Sequence, residues 1–159
     1  MFDTTLVHMP GYPVTTTSVG GTTMDIPGRA ALRAIMAGSV ISTALHYTHN
    51  YLKIEQYPQP PSISGATTQL AIVIAWPLLT AIGITGYVLY TRGRLWGARA
   101  CLLIYSLTGL VTLGHFMAGV PDVPWYWFVT IFTDALAGLA LWAFVVWSAI
   151  AERTRATAT

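Results

Sequence analysis

The stretch AALRAIMAGSVISTALHYTHNY, residues 30–51, is apolar as far as Leu45 apart from Arg33 and a few hydroxyls, and then turns polar at His46, His49 and Asn50. As a helix it would rise roughly 30 Å, the thickness of a bilayer's hydrocarbon core. An ionisable side chain inside that core costs about 3 kcal/mol on insertion scales, so it is rare there and is usually partnered and functional. Residues 30–51 therefore read as a membrane span that carries a polar site near one end.

Three further apolar segments follow, at about Thr67 to Tyr90, Leu95 to Val120 and Trp125 to Ala151. Each is long enough to cross a bilayer as a helix, and helices are favoured because a lone helix satisfies its own backbone. The composition agrees: of the 159 residues 54% are hydrophobic and only 9% charged, against roughly a quarter charged in a soluble domain. The expected fold is all-α, an integral-membrane four-helix bundle. The expected organisation is an irregular cytoplasmic N-terminal segment over 1–28, a four-span domain over 29–152 and a short cytoplasmic tail over 153–159. Pro77 predicts a kink in the second span. The proline-rich run Glu55–Pro61 predicts an extended, stiff link, and Val120–Pro124 a tight turn.

The arginines orient the chain. Arg29, Arg33, Arg92, Arg94, Arg99, Arg153 and Arg155 cluster at one side of the expected spans, and Lys53 stands at the other. The positive-inside rule then places both termini in the cytoplasm and the protein in the plasma (cytoplasmic) membrane as a multi-pass chain. Tyr51, Tyr57, Trp125 and Trp127 would mark the outer interface, and Tyr87, Tyr90, Trp96 and Trp147 the inner one. The first 28 residues lack a basic region followed by an apolar run, so no cleavable signal peptide is expected. Asp25 is a candidate helix cap ahead of Pro27. The single cysteine, Cys101, has no internal disulfide partner, and the net charge of +2 reflects the inner-face arginines; no nucleic-acid partner is expected.

At helical spacing each span shows one polar or small stripe. These are Ser39, Ser42, His46, His49, Asn50 and Lys53; Gln69, Trp76, Thr80 and Gly83; Cys101, Thr108, Thr112 and His115; and Thr130, Asp134 and Gly138. In lipid such faces turn toward other helices. His46, His49 and His115 then share a layer in the outer leaflet, with Asp134 somewhat below. Intramembrane Ser, Thr and His often serve only as interhelical hydrogen-bond donors, but three imidazoles and a carboxylate at similar depth favour a site. His8 lies outside it.

Three function classes fit. In the first, His46, His49 and His115 bind a metal ion (copper, iron or zinc), with Asp134 as orienter or proton acceptor and Met117 as a soft ligand; alternatively His46 and His115 are axial ligands of a haem, with Gly109, Gly114 and Gly119 giving room. In the second, Asp134 is a catalytic acid–base group acting with His46 or His115 on a lipid-like molecule, or the chain binds such a molecule. Its pocket would include Asn50, Thr112 and Trp76, with Tyr105 and Trp127 as further walls. In the third, the chain is an accessory subunit of a larger membrane complex or a homo-oligomer. No phosphate loop, dinucleotide fingerprint or serine-nucleophile elbow is present.

Overall fold

A computed structural model describes residues 26–157, and these are helical with no strand among them. The order is α1 (Arg29–Leu52), a 3-10 turn (Ile54–Gln56), α2 (Gly65–Thr91), α3 (Leu95–Leu110), a 3-10 segment (Val111–Gly114), the one-turn α4 (His115–Ala118) and α5 (Trp125–Ala156). Three helical stretches are long and apolar enough to cross a membrane: Gly65–Thr91, Leu95–Ala118 and Trp125–Ala156. The fourth expected span, α1, has the length at 24 residues but falls short in hydropathy. The reason is its inner stripe, where Ser39, Thr43, His46 and Asn50 are all buried, while Ile41, Leu45 and Leu52 stay exposed. A helix that is polar inward and apolar outward averages to a middling hydropathy whichever solvent surrounds it.

The four long helices pack so that α1 touches α2 and α5, and α3 touches α2 and α5, with a lighter contact across the middle between α1 and α3. Sequential neighbours run antiparallel. Going up α1 and down α5, Gly28 meets Trp147, Ser42 meets Asp134, His46 meets Thr130 and His49 meets Trp127. On α3 and α5 the pairs are Arg99 with Ser148 and Glu152, Ser106 with Trp142, and Gly109 with Asp134.

Lipid tails are as apolar as leucine, so burying apolar area gives little drive between such helices. Close backbone approach and interhelical hydrogen bonds carry the packing instead. Gly109 is the clearest case: a Cβ there would run into the Asp134 backbone carbonyl, and one at Gly138 would stand 2.9 Å from the Ser106 carbonyl oxygen. Gly83 makes room for the Tyr105 ring in the same way. These glycines bring α5 and α2 against α3. An apolar core of Leu32, Met36, Leu102, Tyr105, Leu141 and Phe144 fills the end of the molecule that holds Arg99. The other end, where Tyr57 lies, is polar inside.

The element boundaries add detail to these expectations and correct some of them. α1 begins at Arg29 after Gly28, whose φ of 79° suits glycine; Asp25, His8 and most of the expected 1–28 segment lie outside the described residues. α5 continues as helix to Ala156, into the expected tail at 153–159, because nothing in Arg153–Ala156 breaks it. Residues 54–56 form a helical turn before the proline run takes over. The third expected span is interrupted: Val111–Gly114 tightens to 3-10 immediately before His115. Pro77 lies inside α2, as expected for the second span.

Two of the aromatics expected at the interfaces are buried within the protein. Tyr90 is buried, its hydroxyl donating to the Pro27 carbonyl at 2.6 Å, and Tyr57 is 1% exposed.

Candidate functional site

The site grows from the α1–α5 seam. His46 is wholly buried, and its Nδ1 lies 3.1 Å from the Thr130 hydroxyl. That hydroxyl already spends its proton on the Trp127 carbonyl at 2.6 Å. It must therefore accept from His46, which makes the ring the Nδ1–H tautomer with a bare lone pair on Nε2. Among the described residues Nε2 has no hydrogen-bond partner. One turn toward the Arg99 end, Ser42 donates to Asp134 Oδ1 and also lies 2.7 Å from the Thr133 hydroxyl, while Asp134 Oδ2 is buried without a partner among the described residues.

The opposite wall comes from α3 and α4. Asn50 Nδ2 stands 3.1 Å from His115 Nε2, and the Tyr47 hydroxyl donates to the Thr108 carbonyl at 2.7 Å. The rings of His46 and His115 have centroids 5.4 Å apart, tilted by 56°. Asn50 Oδ1 is a second buried acceptor without a partner among the described residues.

Tyr57 closes the site from above. Its ring lies 5.0 Å from His115, 5.9 Å from His46 and 5.8 Å from His49, so three imidazoles gather round one phenol. Its hydroxyl is 2.9 Å from His49 Nδ1. Burial pushes that hydroxyl up to about 12, with the Asp134 carboxylate adding to the effect, so it stays neutral and donates to His49. His49 is also stacked on Trp127, centroids 4.2 Å apart. The loop is pinned in place, since the Asp122 N–H donates to the Gln56 carbonyl at 2.9 Å and Gly119 packs on Pro58.

Beside this cluster a cavity of about 390 Å³ opens between α2 and α3. Ala71, Ile72, Ala75, Leu79, Leu107 and Val111 form its walls, and Asn50, Thr112, His115 and Trp76 line it as well. Most of the polar groups on its floor are already spoken for: Thr112 donates to the Gly109 carbonyl at 2.6 Å, Thr108 to the Tyr105 carbonyl at 2.8 Å, and Trp76 Nε1 to Thr43 at 3.2 Å. The surface offered to an occupant is thus chiefly apolar.

Of the residues singled out in the sequence, His46, His49, His115 and Asn50 come together, and Asn50, His115, Thr112 and Trp76 reach the cavity. Asp134 does not line it and hydrogen-bonds to none of His46, His49 and His115. Tyr105 is buried beneath Gly83, accepting from Ser39 at 3.2 Å, and Trp127 covers His49. Met117 is 93% exposed, so it is no ligand in this cluster. Among the described residues no three His, Cys, Asp or Glu side chains are placed to hold a metal ion.

Tyr57 and Tyr47 are the participants that pattern reading missed. The available signal was the position of Tyr57, a lone aromatic in a stiff link directly above two histidines. Compared with known proteins, the chain matches no family model, no curated protein and no solved structure.

Proposed function

We propose that this chain is an integral membrane protein of four spans that takes an apolar, chain-like molecule from the bilayer into the cavity between α2 and α3. The carrying observation is that cavity. Its volume is at the small end of the range typical of ligand sites, roughly 300–1,000 Å³. Its walls are aliphatic, and its rim residues Leu107 and Val111 are exposed on the side where a bilayer would lie. A buried polar cluster borders it at one end, through His115 and Asn50.

The outward apolar residues of α1 support its crossing as the first of the four spans. The arginines support a bundle with both termini cytoplasmic and the Tyr57 end outside. In this reading Asp134 is not a catalytic group. It fastens α5 to α1 through Ser42.

The test is photolabelling of protein in lipid nanodiscs with an aliphatic diazirine, mapped by peptide mass spectrometry. The reading predicts saturable labelling on residues 71–79 and 107–115, lost in Ala75→Trp, whose indole fills the cavity. Unsaturable labelling spread evenly over the exposed faces of α2 and α5 would overturn it.

A further inference from the structure

Buried polar atoms in native proteins are nearly always partnered, and each orphan calls for a specific explanation, an ion among them. Two orphans here stand one turn apart on α1, His46 Nε2 and Asn50 Oδ1. Both belong to residues in contact with His115. Neither has a water-sized space beside it, since both atoms are closed to solvent. A metal ion takes up less room than a water, because its bonds to nitrogen and oxygen are only about 2 Å long.

We infer that His46, His115 and Asn50 form a binding site for one divalent first-row transition-metal ion, zinc or copper. Two imidazoles on a common ion, each with its ring centre roughly 3 Å from the metal, have centroids 5–5.5 Å apart at a bond angle near 110–120° and roughly 6 Å apart when opposed. The observed 5.4 Å matches the bent arrangement of a three- or four-coordinate ion. It does not match opposed axial ligands, and the Tyr57 ring packed against both imidazoles fills the space a porphyrin would need.

His46 already has the state a ligand requires. Thr130 holds its Nδ1–H, as a hydrogen-bond acceptor beyond the ligand shell does in metal sites, and leaves Nε2 bare. His115 Nε2 faces Asn50, so entry of the ion replaces an amide-to-imidazole hydrogen bond with two metal bonds. The third ligand is an amide oxygen instead of a third imidazole, because His49 spends its Nδ1 on Tyr57 and its face on Trp127. With two neutral imidazoles and an amide as ligands, the nearest negative charge on the α1–α5 seam is Asp134, one turn away.

The experiment is elemental analysis of the full chain, purified in detergent without a histidine tag and then loaded with zinc or copper ions alone and desalted. About one ion per chain is expected in the wild type, less than a tenth of that in His46→Ala and in His115→Ala, and an unchanged content in His49→Ala. A wild-type protein that retains no ion, or an unaltered content in His46→Ala, overturns the site. Should the alanine variants fail to fold, cobalt(II)-loaded wild type supplies the reading. The visible bands of a low-coordinate nitrogen–oxygen set support the site, and their absence overturns it. Aliphatic photolabelling of the cavity is measured separately and does not depend on either result.

Discussion

His46, Ser42 and Tyr57 show how single side chains were made to suit this interior. His46 gives its one ring proton to Thr130, and Thr130 gives its own to the Trp127 carbonyl, which leaves the lone pair of His46 Nε2 uncommitted. Removing one donor strands an acceptor, which costs more than the hydrogen bond itself contributed. Ser42→Ala should thus destabilise the protein by about 1–3 kcal/mol, since Asp134 Oδ1 is left bare; a chemical-denaturation midpoint equal to wild type would contradict this. Tyr57→Phe keeps the ring among the imidazoles and loses only the hydroxyl donated to His49, so about 1 kcal/mol is expected, whereas Tyr57→Ala empties a buried aromatic site and should cost about 3–5 kcal/mol. The two variants separate ring packing from hydrogen bonding in the same assay.

The helices show which features a sequence makes legible and which it conceals. α2, α3 and α5 were readable as continuous apolar runs, and the polar stripe of α1 was readable at helical spacing, because both signals are local. The gathering of His46 and His115 was an inference from depth along separate spans. Tyr57 could not be placed that way, because its burial depends on the Gln56–Asp122 and Pro58–Gly119 contacts between two distant loops. Depth along the spans likewise places Asp134 only somewhat below the histidines. The antiparallel register of α1 on α5 pairs it with Ser42 and gives Thr130 to His46. Gly109, Gly114 and Gly119 are ambiguous in sequence between open space and close packing; Gly109 is in contact with the Asp134 backbone and Gly119 with Pro58, whereas Gly114 faces open space. Gly109→Leu should force α3 away from α5, costing about 3 kcal/mol or more because backbone atoms cannot move aside as a side chain would; Gly114→Ala, with nothing near its Cβ, should leave the thermal midpoint within a degree or so of wild type.

At the scale of the molecule, the two ends differ in chemistry. The Arg99 end is closed by an apolar core and by a 2.6 Å ion pair from Arg99 to Glu152, whereas the Tyr57 end holds the buried polar groups and, beside them, the cavity. With the arginines cytoplasmic, an impermeant maleimide should label Ser62→Cys in intact cells and reach Thr157→Cys only after permeabilisation, both in a Cys101→Ser background; the reverse pattern would invert the protein. Whether the cavity between α2 and α3 holds an apolar chain is answered by a crystal structure grown from a lipid mesophase. Elongated density lying between Ile72 and Val111 with one end at His115 is the predicted result. Density absent there, with the walls of α2 and α3 closed onto each other, would contradict it.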